Sequence, residues 1–177
     1  MTSLSISKKT VLKQVVISII AVVVAVGLPQ LLHIAGKAAG VGSKLGEIVL
    51  PMHIPVLLAG FMGGPIAGLI AGLISPILSY ALSGMPSQMM LSYIAIELVT
   101  YGFSAGMLKN VKMPVTLKVL AAQVAGRAIR AIAIFICGTV ATSVIWDSVK
   151  VGVIGIVLQL ILIPLILYRV EGKKSAE

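Results

Sequence analysis

Residues 48–97 read IVLPMHIPVLLAGFMGGPIAGLIAGLISPILSYALSGMPSQMMLSYIAIE, and no Asp, Glu, Lys or Arg occurs before the final Glu97. A helix that crosses a bilayer needs only about 20 apolar residues, so this stretch has room for two crossings and most of a third. Gly63-Gly64-Pro65 and Ser83-Gly84-Met85-Pro86 mark the turns within it. The rest of the chain agrees: 59% of residues are hydrophobic, 11% are charged, and the mean hydropathy is +1.13. A soluble domain carries about a quarter charged residues, and it could not hide this much apolar surface from water.

Apolar runs and Gly/Pro punctuation predict helices near 11–34, 49–62, 65–82, 87–108, 114–142 and 150–169. The expected fold is an all-α membrane protein: one transmembrane substrate-binding domain over 1–177, built as a six-transmembrane-helix bundle with no room for a separate soluble domain. The second helix is short and runs through Gly63-Gly64-Pro65 into the third, as a tight hairpin or a partly unwound segment. Gly64, Gly68 and Gly72 on the third helix, and Gly102 and Gly106 on the fourth, repeat every four residues. That spacing puts them on one face, where small residues let helix backbones approach closely. Lys8, Lys9 and Lys13 precede an apolar stretch reaching Ile34, too long for the roughly 7–15-residue core of a signal peptide, so a retained first helix is expected.

The net charge of +9 does not point to nucleic acid, because the basic residues sit at helix ends without aromatic interleaving. They orient the chain instead. With both termini cytoplasmic, the inner flanks collect Lys8, Lys9, Lys13, Lys109, Lys112, Lys118, Arg169, Lys173 and Lys174, while the outer loops hold Lys37, Lys44 and Lys150. Nine against three follows the positive-inside rule. Cys137 is the single cysteine, so no intramolecular disulfide and no Cys-based metal site is available.

Ionisable residues at bilayer depth are costly and mark binding sites, relays or buried pairs. Glu97 lies about eleven residues, roughly 16 Å, into the fourth helix. Arg127 and Arg130 are spaced i, i+3 on the fifth helix, with Gln123 one turn earlier on the same face. Gln159 is central in the sixth helix, and His53 lies near the outer end of the second. Glu97 is expected to pair with one arginine, taken to be Arg127, which leaves Arg130 to meet an anionic or strongly hydrogen-bonding ligand. Each residue also has a packing alternative: a Glu97–Arg127 pair that only fixes the bundle, an interhelical hydrogen bond for Gln159, a capping role for His53 beside Pro51 and Pro55. Tyr93 and Tyr101 share a face with Glu97 and offer either an aromatic wall or core packing.

Gly102-Phe103-Ser104-Ala105-Gly106 fits the G-x-S-x-G nucleophile pattern, but both histidines, His33 and His53, precede Ser104, and the glycines have a packing role. No Asp/Glu/His/Cys cluster has metal-ligand spacing, and no Walker A motif is present. An enzyme is not expected, nor a cofactor or metal.

The run Leu50-Pro51-Met52-His53-Ile54-Pro55-Val56-Leu57-Leu58-Ala59-Gly60-Phe61 into Gly64-Pro65, with Ser75-Pro76, Ser83-Gly84-Met85-Pro86, Glu97-Leu98-Val99-Thr100-Tyr101-Gly102 and Ala125-Gly126-Arg127, resembles the substrate-binding S components of energy-coupling factor vitamin transporters. Ala21-Val22-Val23-Val24-Ala25 is similar to that family's A-x-x-x-A motif in helix one. The resemblance spans nearly the whole chain. It implies a multi-pass subunit of a bacterial plasma membrane that binds one vitamin-like molecule in an outward pocket. Such a subunit then topples in the lipid bilayer on a transmembrane coupling subunit driven by two cytoplasmic ATPases. On this resemblance Ala35–Gly46 would be the lid and Ala21 and Ala25 the coupling-subunit contact. Substrate would meet His53, Glu97, Arg127 and Arg130, with Gln159 and Tyr93 as weaker contacts. The tryptophan-rich loops of the thiamine binders and the riboflavin binders' pattern are missing. Pantothenate-type members look closest, together with pyridoxine or hydroxymethylpyrimidine types, and the extra arginine favours a carboxylate. The competing expectations are a stand-alone proton-coupled carrier using Glu97 and a membrane subunit with no ligand.

Overall fold

The computed structural model describes residues 8–40 and 48–174. Among them lie six helices and no strand: α1 (Lys8–Ala38), α2 (His53–Gly63), α3 (Pro65–Ser83), α4 (Gln88–Leu108), α5 (Val115–Cys137) and α6 (Ser143–Lys174). Five are long and apolar enough to cross a membrane. The exception is α2, whose 11 residues extend about 16 Å, half of the roughly 30 Å hydrocarbon core. Five of the six expected helices are thus candidate spans, and the second, expected to be short, is half the length of a span.

That short helix is the centre of the bundle. Val56 and Ala59 of α2 pack with Ala21, Val22, Ala25 and Val26 of α1, Ala71 of α3 and Leu98 of α4. Leu57 and Phe61 pack on the other side with Tyr101 and Ala105 of α4, Val119 and Ala122 of α5, and Ile163 and Leu167 of α6. Ala21 and Ala25, expected on an outward face, are therefore buried against the chain's own helices, Ala25 completely. Their small side chains let α2 approach α1.

The predicted glycine seam is present between α3 and α4. A Cβ at Gly68 would lie 2.1 Å from the Gly102 carbonyl oxygen, one at Gly72 would lie 2.4 Å from that of Leu98, and one at Gly106 2.2 Å from the Pro65 nitrogen. Two backbones touch there with no side chain between them.

Two boundaries differ from expectation for identifiable reasons. The fifth helix stops at Cys137 because Gly138 adopts a left-handed conformation (φ 61°) and donates its N–H to the Ile134 carbonyl at 3.0 Å. The sixth begins at Ser143, seven residues early, since its first two turns carry Ser143, Asp147, Ser148 and Lys150, polar residues that read as loop by hydropathy alone. Arg130 thus lies two turns from the end of its helix.

The outward faces are apolar, as in Ile19, Ile20 and Val23 of α1 and Phe135 and Ile136 of α5. On α6 the exposed aromatics Trp146 and Tyr168 stand about 33 Å apart along the axis, the separation of two membrane interfaces where such rings concentrate.

Pairings along the helices set their directions. Ser18 and Gln30 of α1 bond to Ala67 and Ser83 of α3, so these two run parallel, while Gly68 and Gly72 meet Gly102 and Leu98 in antiparallel order. Glu97 meets Arg130, and Gln123 meets Gln159. Directions alternate, so the beginning of α1 and the end of α6 share one end of the bundle. Of the lid expected over Ala35–Gly46, residues 41–46, with Lys44, lie outside the described residues, and α1 runs through its first part to Ala38.

Candidate functional site

A cavity of about 570 Å³ occupies the end of the bundle opposite the beginning of α1 and the end of α6. Its wall draws on the last turns of α1 (Pro29, His33), the Leu50–His53 entry to α2, Ser79 of α3, the Met85–Ser87 turn, Met90 and Ile94 of α4, Arg127 and Arg130 of α5, and Val144, Asp147, Ser148 and Val151 of α6. Because α2 is only half a membrane long, its N-terminal end stops below the tips of its neighbours. The space it leaves is the cavity, with His53 at the base.

Beneath that base sits a charged cluster. Glu97 is fully buried and accepts a hydrogen bond from Arg130 Nη1 at 2.7 Å and another from the Tyr101 hydroxyl at 3.0 Å. Arg127 Nε and His53 Nε2 each stand 3.9 Å from the same Glu97 Oε1, too far to bond it. The His53 and Tyr101 rings lie 5.2 Å apart at 60°. A Cβ at Gly126 would fall 2.0 Å from Tyr101 Cδ1, so the missing side chain beside Arg127 is what lets the tyrosine ring reach across to Glu97.

The expected division of labour between the arginines is reversed. Arg130, assigned to the ligand, is Glu97's hydrogen-bonded partner, and Arg127, assigned to Glu97, stays within ion-pair distance of it at 3.9 Å while its Nη1 donates to the Ser148 carbonyl at 3.4 Å. The reason is register. One turn of α5 separates the two, and Arg130 is the residue that falls opposite Glu97 in the antiparallel α4–α5 pair. Arg127 instead lies over Gly152 of α6, where an added Cβ would come within 2.9 Å of Nη2.

Three expected site residues do line the cavity: His53, Arg127 and Arg130. Glu97 lies behind them, holding Arg130. Tyr93 and Gln159 are elsewhere. The Tyr93 hydroxyl is hydrogen-bonded to the Thr139 hydroxyl, and Gln159 accepts a 2.8 Å hydrogen bond from Gln123 within the α5–α6 interface. Ser79, Met90 and Ser148 were not anticipated. Met90 and Ser79 read as ordinary helix residues, and the polar start of α6 that brings Asp147 and Ser148 to the wall was taken for loop.

Both ring nitrogens of His53 and the Nε atoms of Arg127 and Arg130 are buried without a hydrogen-bond partner among the described residues. A buried polar atom left unsatisfied is costly. Against them stand apolar walls of Met52, Met90, Ile94 and Val151, so the site offers hydrogen-bond donors at its base and apolar surface around them, the usual make-up of a small-molecule site. Among the described residues no group of three His, Cys, Asp or Glu side chains could hold a metal ion. Comparison with known protein families, with curated proteins and with solved structures finds no match to this chain.

Proposed function

We propose that the chain is the substrate-capture subunit of an energy-coupling-type importer, taking a small vitamin or vitamin precursor from the outer face of a bacterial plasma membrane. The carrying observation is the cavity at the end remote from the beginning of α1 and the end of α6, with half-satisfied polar groups at its base and a volume within the roughly 300–1,000 Å³ usual for ligand sites. The nine-to-three distribution of basic residues supports cytoplasmic termini, which turns the cavity outward. The resemblance to S components supplies the rest: delivery by toppling on a transmembrane coupling subunit with two cytoplasmic ATPases. Pantothenate is the first choice of ligand, with pyridoxine or hydroxymethylpyrimidine next. A proton-coupled carrier would need Glu97 to exchange protons with water. A fully buried carboxylate already bonded to Arg130 and Tyr101 does not favour that reading.

Native mass spectrometry of the protein extracted from its host membrane tests the proposal. The expected spectrum contains the chain with one small molecule bound and, under gentle extraction, two ATPase subunits and a membrane partner. A chain always free of small molecules would refute capture. In a Cys137→Ser background, an impermeant thiol reagent outside intact cells should label Ser87→Cys at the cavity rim and not Lys112→Cys. The opposite pattern would turn the cavity inward.

A further inference from the structure

Resting on the capture reading, we infer that the cavity binds a monocarboxylate, its carboxyl group received by Arg127 and His53, while Arg130 serves as a positioning residue that holds Glu97. Charge leads the argument. At the base of the cavity two guanidinium groups face one carboxylate, and Glu97's short hydrogen bond is spent on Arg130. One positive charge is left over. Asp147 is the other acid on the cavity wall, its side chain is exposed, and among the described residues no ion pair joins it to either arginine.

Hydrogen bonding then places the group. His53 is 94% buried by its 6% residual exposure, lines the cavity, and has no partner at either ring nitrogen. Arg127 lines the cavity beside it, with an unpartnered Nε and a single long contact from Nη1. Both stand 3.9 Å from one Glu97 oxygen, beyond hydrogen-bond reach, so neither is satisfied by that carboxylate at the base of the cavity. An acid group there gains charge-assisted hydrogen bonds from groups that otherwise have none. The leftover charge is a single one, which a carboxylate balances and a phosphate monoester, carrying about −1.5 to −2, exceeds. The remainder of the ligand meets Met52, Met90 and Ile94, so it is apolar or flat at that end.

The test uses the full chain in detergent and native mass spectrometry, with a small-molecule extract of the expression host as probe in three forms: untreated, with its carboxylic acids methylated, and phosphatase-treated. The chain is expected to retain a species from the untreated and phosphatase-treated extracts and to lose it from the methylated one. Arg127→Gln should reduce retention by about tenfold to a hundredfold, and Arg127→Lys should recover part of it, since the ammonium keeps the charge without the planar fork. Retention from the methylated extract, or full retention by a folded Arg127→Gln chain, overturns the carboxylate subsite and leaves capture standing. Loss after phosphatase alone replaces the carboxylate by a phosphate ester and overturns the assignment. Retention of nothing by the unsubstituted chain from any extract overturns capture and the subsite together. The methylation arm needs no variant and stands even if Arg127→Gln fails to fold.

Discussion

Two buried polar groupings lie about one helical turn apart along α5, and they are built differently. The lower is a neutral pair: Gln123 Nε2 donates to Gln159 Oε1 across the α5–α6 interface, both residues are almost wholly buried, and neither lines the cavity. The upper is charged and unbalanced. Glu97 is satisfied by Arg130 and Tyr101, while Arg127 and His53 stand beside it with donors unused and face open space. A neutral amide pair meets the usual need of a membrane bundle for interhelical polar contacts. A surplus buried charge at the foot of a cavity stabilises nothing by itself, because its desolvation is uncompensated. Both groupings hold buried polar atoms without a partner, Gln123 Oε1 and Gln159 Nε2 included; what separates them is the surplus charge of the upper one and the place of Arg127 and His53 on the cavity wall.

The largest effect should come from breaking the satisfied half of the upper cluster. Arg130→Ala strands Glu97 in a low-dielectric site, and the expected cost is about 3–5 kcal/mol of stability, read as a lowered midpoint in a detergent melt. The double variant Glu97→Gln/Arg130→Gln should fall well short of the summed single effects, with a coupling of about 1 kcal/mol or more. Additive losses would mean the 2.7 Å contact is not the cluster's main tie.

The lower pair should respond more mildly. Gln123→Leu leaves the Gln159 amide buried without its partner, at about 1–3 kcal/mol. Replacing both glutamines by Leu removes the need for a partner and should return stability to within about 1 kcal/mol of the original. If the double variant is as poor as the single one, the pair does more than join α5 to α6.

Smaller still is the expected effect of Arg127→Gln on folding. Its losses are a 3.4 Å hydrogen bond to Ser148 and a 3.9 Å ion-pair contact with a Glu97 that keeps Arg130, so the melt should move by about 1 kcal/mol, less than for Arg130→Ala, while ligand retention drops. A stability loss matching that of Arg130→Ala would erase the distinction between the two arginines. The gentlest probe is Gly152→Ala. Its methyl would meet the mobile end of Arg127 at 2.9 Å, so the guanidinium should shift by a few tenths of an ångström. Binding should weaken with little change in the melt.

How the site is assembled explains which parts were legible beforehand. Glu97, Arg127, Arg130 and His53 stood out because ionisable residues are expensive in an apolar span, so their presence alone announces a role. Tyr93 and Gln159 carried the same kind of signal and have partners within the chain, Thr139 in the loop after α5 and Gln123 on α5, because polarity at depth does not reveal which neighbour satisfies it. Ser79, Met90 and Ser148 gave no signal, since a serine or methionine on a helix is unremarkable until folding points it at a space. The small residues Ala21 and Ala25 signalled a close approach by their four-residue spacing, and within the chain it is α2 that packs there.

What the sequence by itself determined is the environment and the element count: an apolar composition forces burial in lipid, and Gly/Pro punctuation cuts the chain into helices whose backbone bonds are satisfied internally. The glycine seam between α3 and α4 was also legible, because a four-residue period lies on one face whatever packs there. Only the tertiary structure decided that the short α2 is central, that its shortness opens the cavity, and that Arg130 rather than Arg127 hydrogen-bonds Glu97. Those outcomes depend on the axial register of helices distant in sequence. A shift of one turn, about 5.4 Å, exchanges the two arginines, and nothing in local composition specifies that shift. It is set by how all six helices pack together.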